Sequence, residues 1–157
     1  MTFQAGWKCP DDTVTGMAEM QTSSEIEAVT HAWEAALAAH DVEALMACYA
    51  RDAVLESPVA AHLRGSPGVC RGHEQLRPFL AEVVSRTPEV RQYHRAGFFT
   101  DGRTAMWEYP RQTPSGEQMD FVEVMEIEKG LIQAHRVYWG WRGVEVLIND
   151  EYHRDPH

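Results

Sequence analysis

Residues 120–141 read DFVEVMEIEKGLIQAHRVYWGW, and the rest of the chain is organised around how this stretch folds. β-Branched and aromatic residues dominate both arms, and Lys129-Gly130 separates them as a tight turn in which glycine supplies the positive φ that hairpins demand. Glu123 and His135 are titratable side chains set into otherwise apolar alternation. That alternation puts Phe121, Glu123, Met125 and Ile127 on one face of the first strand, and Gln133, His135, Val137 and Trp139 on one face of the second. Two turns are open. A type I turn with a bulged, left-handed Gly130 sets Glu123 against His135, whereas a two-residue type I′ turn sets Glu123 against Arg136. The first is expected, because its odd-numbered face is an apolar wall with few polar interruptions.

Upstream, strands are predicted over 90–99, 103–110 and 117–128, completed by 131–141, with turns at Thr100-Asp101-Gly102 and Thr113-Pro114-Ser115-Gly116. Helices come first. Ser24 followed by Glu27 reads as a capping box opening a helix to Ala39, with Ile26, Val29, Trp33 and Leu37 as its buried stripe. His40-Asp41 breaks it, and Asp41 caps a second helix, Val42 to Tyr49. Ala53 to Ser57 reads as a short strand stopped by Pro58. Residues 58–71 read as a loop folded over something, and a third helix runs from Gly72 to Arg86 with Pro78 inside it. Three helices followed by an antiparallel meander is an α+β layout, with the helices covering one face of a curved, mainly antiparallel sheet and an apolar conical cavity between them.

The 157 residues, 44% of them hydrophobic, suffice for one core. A single domain over 23–142 is expected, preceded by an irregular extension (1–22) and followed by a tail (143–157). A formal charge of −10 without a basic patch argues against nucleic acid or an anionic membrane as partner. Cys9, Cys48 and Cys70 are odd in number and widely spaced, which fits reduced thiols. No basic region followed by an apolar run opens the chain, and no window has the ~18 apolar residues of a membrane span; the expected location is cytoplasmic. The eight histidines show no ligand spacing, so no metal is expected, and no cofactor motif is found.

The runs AALAAHDVEALMACYARDAVLESPV (35–59) and RGHEQLRPFL (71–80), with the hairpin at 118–141, resemble the nuclear transport factor 2-like superfamily and its SnoaL-like branch, which includes polyketide cyclases and ketosteroid isomerases. The resemblance implies a cone-shaped α+β barrel, a homodimer and a site in the cone. Ketosteroid isomerases carry their catalytic aspartate where this chain has Ser57, and an oxyanion-holding tyrosine where it has Trp33. Their third acid corresponds to Glu123, which keeps its type. SnoaL-like cyclases often carry a carboxylate and a histidine at the offsets from the turn glycine that Glu123 and His135 occupy.

A carboxyl walled by aromatic groups beside an imidazole can move a proton α to a carbonyl. Glu123 and His135 are thus the expected catalytic pair. Tyr49, Trp33, Ser57, Trp139, His94 and Phe121 are the expected substrate contacts, and a hydrophobic, carbonyl-bearing small molecule is the expected substrate of a cofactor-free cyclase, isomerase or dehydratase. The competing expectation is a non-catalytic ligand-binding or dimerising module in which the pair only orders the sheet.

Overall fold

The computed structural model describes residues 22–86, 97–112, 118–149 and 151. Helix α1 (Ser23–Ala38) is opened by Thr22 rather than Ser24: the Thr22 hydroxyl accepts from the Glu25 N–H and the Glu25 carboxylate accepts from the Thr22 N–H at 2.7 Å. The capping box therefore sits two residues earlier than the sequence suggested, because both Thr22 and Ser24 have an acid three positions on. At the far end, the His40 N–H reaches the Leu37 carbonyl and the Asp41 N–H reaches that of Ala36. This is a Schellman closure, with His40 in the left-handed region (φ 57°) that glycine normally fills. Asp41 caps α2 (Val42–Ala47), its carboxylate accepting from the Ala44 N–H at 2.9 Å.

Strand β1 (Tyr49–Glu56) starts four residues before the predicted Ala53, so Tyr49 opens a strand instead of closing a helix. The stretch expected as a loop holds helix α3 (Pro58–Arg64) and strand β2 (Val69–Arg71). Ser57-Pro58 can stop a strand, but it is equally an N-cap followed by proline at the first helical position, and that role prevails here. Helix α4 (Gly72–Arg86) falls where expected, with Pro78 inside it. Strands β3 (Gly97–Thr100), β4 (Thr104–Gln112), β5 (Gln118–Glu128) and β6 (Leu131–Trp139) form the antiparallel meander. Helix α5 (Trp141–Ile148) takes in the first part, 143–148, of what was expected to be a tail; Gly143, Val146 and Leu147 are its buried side.

The sheet has six strands in the order β2-β1-β6-β5-β4-β3 and is open, the outer strands not meeting. It is mixed, because β1 runs parallel to β6. Inward residues of the sheet, among them Leu55, Trp107, Phe121, Met125, Ile127 and Ile132, meet Ile26, Trp33, Leu37, Leu45, Leu76, Phe79 and Leu80 from the helices. That is the cone-shaped α+β fold with an open sheet.

The hairpin makes the two-residue type I′ turn and not the expected type I turn with a bulged Gly130, yet it lacks the Glu123–Arg136 pairing predicted for that turn. Glu128 pairs with Leu131 across a two-residue turn, and Lys129 (φ 53°) and Gly130 (φ 75°) both take positive φ, as type I′ requires. Continued unbroken, this register would oppose Glu123 and Arg136. It does not continue: Ile127 pairs with Ile132, but Glu126 pairs with Ala134, leaving Gln133 as an extra residue on β6. The bulge flips the parity of β6, so that Ile132 and His135, three apart, both point inward and are buried. Glu123 then faces Val137 directly and reaches His135 on the diagonal, while Arg136 turns outward to Glu126 at 2.8 Å.

Two substitutions test the local constraints. Gly68 has φ +75°, and a Cβ there would lie 2.8 Å from that of Ala61; Gly68→Ala is expected to lower the unfolding free energy by about 2 kcal/mol or more. His40 combines a left-handed backbone with a buried Nε2 that lacks a hydrogen-bond partner, so His40→Gly is expected to raise stability by about 1 kcal/mol. Urea unfolding followed by circular dichroism reads both.

Candidate active site

Four side chains from four elements meet in the core. Trp33 comes from α1, where the buried stripe turns it toward the sheet; Tyr49 is the first residue of β1; Glu123 lies on β5 and His135 on β6. They are 5, 2, 3 and 1% exposed respectively. The Trp33 Nε1–H donates to the Tyr49 hydroxyl oxygen at 3.0 Å, that hydroxyl lies 2.8 Å from His135 Nδ1, and His135 Nε2 lies 2.6 Å from Glu123 Oε2. Tyr49 reaches this position because β1 is irregular: it pairs with Ile132, whereas Val54, five residues later, pairs with Ala134, only two residues further along β6.

The chemistry of the groups gives the chain a direction. An indole nitrogen only donates, so the Tyr49 oxygen accepts from Trp33 and its own hydrogen is directed to Nδ1. Nδ1 is then an acceptor, the neutral imidazole carries its proton on Nε2, and that N–H donates to the Glu123 carboxylate. Every donor along the chain has an acceptor in this one sense. The short Nε2–Oε2 contact is that of a charge-assisted hydrogen bond. Burial pushes the Tyr49 phenol well above its ordinary range; the Trp33 hydrogen bond acts against this, and the negative charge of Glu123 adds to it. Tyr49 therefore stays a neutral donor.

Aromatic rings enclose the chain. Trp33 meets the His135 ring edge to face (centroids 5.3 Å, 89°) and packs at 6.4 Å on Trp107. Trp107 stands opposite Glu123 in the β4–β5 ladder. Phe121 is buried and meets Trp139 edge to face at 4.5 Å. A Cβ on Gly143 would come within 3.1 Å of the Trp139 ring, so α5 rests directly against it.

Of the residues expected from the sequence, Glu123, His135, Tyr49 and Trp33 are brought together, and Phe121 with Trp139 forms the neighbouring aromatic pair. Ser57 is elsewhere: its hydroxyl accepts the Ala60 N–H at 3.0 Å as the cap of α3. It borders a depression of ≈ 290 Å³ lined also by Glu56, Pro58, Arg136 and Tyr138. His94 lies outside the described residues. Trp107 was not singled out as a site residue, although once β4 and β5 are aligned, its place opposite Glu123 follows from the ladder. Among the described residues no cluster of three or more His, Cys, Asp or Glu could hold a metal ion, and no helix is long and apolar enough to cross a membrane. Burial raises the thiols of Cys48 and Cys70, which disfavours the nucleophilic thiolate in both.

The family model of the SnoaL-like domain matches residues 29–135, and the chain belongs to that family. No protein of curated function matches it in sequence. Solved structures share the fold. A SnoaL-like protein of unknown function from Burkholderia thailandensis is 18% identical, with 76% of this chain and 98% of that one aligned at a TM-score of 0.63. TerC, co-crystallised with polyporic acid, is 21% identical over 81% of this chain and 99% of its own, at 0.64. The epoxide hydrolase/cyclase-like enzyme SalBIII, connected with pyran ring formation in the polyether salinomycin, is 19% identical over 78% and 96%, at 0.60.

The buried phenol has a consequence for stability. Because its folded pKa is raised, Tyr49 stabilises the fold fully below the unfolded value of about 10, and this contribution is lost as pH climbs from there toward the folded value. Unfolding free energy is expected to fall above pH ~10 by up to about 1.4 kcal/mol per pH unit from this one group. Tyr49→Phe should flatten that alkaline limb, and denaturation curves across the pH range would show whether it does.

Proposed function

We propose that this SnoaL-like chain is a cofactor-independent acid/base enzyme of the cyclase, isomerase or dehydratase type, acting on a hydrophobic, carbonyl-bearing small molecule. The observation that carries the reading is the one-way chain Trp33, Tyr49, His135, Glu123. An indole does not ionise at ordinary pH, so the Trp33 end takes no part in acid/base chemistry and proton traffic runs through the carboxylate end. Glu123 is thus the group that takes a proton from carbon α to a carbonyl and returns it elsewhere on the product. His135 holds the carboxylate in place through Nε2–H and spreads the charge, while Tyr49 fixes the imidazole. Such positioned proton transfer contributes ~10²–10⁴-fold. The aromatic rings around the chain suit a flat, apolar substrate, and the TerC and SalBIII comparisons lend the reading support by analogy of fold. Access to Glu123, which is 3% exposed, requires that wall to open.

The same near-complete burial favours a second reading, a non-catalytic ligand-binding or dimerising module in which the chain only orders the core. Phe99 (64% exposed), Met106 and Tyr138 on the outer sheet face offer apolar area for a homodimer under either reading.

Glu123→Gln keeps the shape of the side chain and an oxygen for the Nε2–H, but removes the base. On the enzymatic reading it lowers turnover by ~10²–10⁴-fold and leaves ligand affinity within a few-fold. The assay is deuterium incorporation from heavy water into a panel of aromatic and polycyclic ketones, followed by mass spectrometry. Exchange in the wild type that survives E123Q unchanged, or no exchange by the wild type on any member, sinks the catalytic reading. His135→Ala strands the carboxylate in the core, and a stability loss of about 3 kcal/mol is expected under both readings.

A further inference from the structure

Trp33 was expected to touch substrate, yet its polar atom is directed at another side chain of the protein. We infer that Trp33 is a positioning residue: its Nε1–H fills the acceptor side of the Tyr49 oxygen and thereby keeps a second proton off His135. For His135 to become an imidazolium, Nδ1 must turn from acceptor to donor, and the atom facing it is the Tyr49 oxygen at 2.8 Å. That oxygen already receives the Trp33 N–H at 3.0 Å. An Nδ1–H would drive the Tyr49 hydrogen away from His135, and the Trp33 N–H occupies the side of the oxygen to which that hydrogen would otherwise turn, so it is left pointing into a core where Tyr49 is 2% exposed. An unmatched buried hydroxyl donor is costly, and more so near a new positive charge.

The geometry resists any repositioning of the indole. Its ring stands edge to face against the imidazole at 5.3 Å and against Trp107 at 6.4 Å, and Trp107 is the ladder partner of Glu123. The four residues Trp33, Tyr49, His135 and Glu123, with Trp107, form a closed circuit of contacts. Among the described residues, the titratable groups facing the imidazole are Glu123 from β5 and Tyr49 from β1, with the uncharged Trp33 from α1 over the ring. Of these, Glu123 favours a second proton on His135 by its charge, and the Trp33–Tyr49 bond opposes it.

The functional consequence, which rests on the acid/base reading, is that negative charge stays on Glu123 instead of being neutralised in an imidazolium–carboxylate pair, so the carboxylate remains available as a base. The residue is therefore a charge-setting device acting at two bonds' remove from the proton it controls.

The test needs no substrate and so stands apart from the fate of the acid/base reading. In the full chain labelled with ¹⁵N-histidine, nitrogen shifts of His135 are followed across pH in wild type, Trp33→Phe, and Trp33→Phe combined with Tyr49→Phe. Wild type is expected to show a protonated Nε2 and bare Nδ1 at neutral pH. Trp33→Phe frees the Tyr49 oxygen, and the ratio of doubly to singly protonated imidazole should rise about tenfold at a given pH. The double variant, lacking the accepting oxygen, should lose that gain. If Trp33→Phe does not fold, benzothienylalanine at position 33 keeps the fused ring without the N–H and serves the same comparison. Wild-type His135 with both nitrogens protonated at neutral pH, an unchanged titration on loss of the N–H, or a gain that persists in the double variant each overturns the inference.

Discussion

A carboxylate placed in an apolar core must find donors there, and the whole of this structure is consistent with that constraint on Glu123. Its partner His135 sits at 2.6 Å, but an imidazole has two nitrogens, and the second needs a partner as well. Tyr49 supplies it, and Tyr49 in turn is held by Trp33. Each step satisfies one group and raises the requirement for the next, until an indole, which only donates, ends the series. Leaving out Tyr49 or His135 strands a polar atom where water does not reach, and such an omission costs more than the bond it removes.

The strand geometry serves the same requirement. A two-residue turn at Lys129-Gly130 is the compact way to reverse this hairpin, yet it alone would turn His135 outward when Glu123 faces in. The extra residue Gln133 restores the parity. On the neighbouring strand, the irregular pairing of β1 brings Tyr49 beside Ile132 while leaving Leu55 against His135. Two local faults in an otherwise regular sheet thus converge on one imidazole, in keeping with the tendency of bulges to lie beside functional groups.

The layered α+β plan was legible in the sequence because it depends on periodicity: the Ile26, Trp33, Leu37 stripe and the odd-numbered face of β5 are long, repeated signals. Glu123 and His135 stood out for the opposite reason, as polar interruptions of that pattern. The details that failed depend on single residues with two uses. Ser57-Pro58 can stop a strand or start a helix, and both Thr22 and Ser24 can open a capping box with an acid three residues on. Tyr49 continues the helical pattern of its neighbours, and nothing local announces that a strand begins there. The bulge at Gln133 is invisible to alternation, which presumes its absence; only the demand that Ile132 and His135 both be buried reveals it. Trp33 was placed near the site by resemblance, but its role depends on a partner 16 positions away.

The parallel pairing of β1 with β6 has a consequence for how the molecule comes into being. The Tyr49–His135 bond joins residues 86 positions apart, so the loop it closes spans more than half of the chain. Contacts of such separation form late and slowly, because the entropy of closing the loop is met before the contact can reward it. During synthesis, α1 and β1 emerge well before β6, so the Tyr49 hydroxyl has no imidazole to meet until β6 follows. The polar chain therefore cannot close before β6 has been made and has docked beside β1.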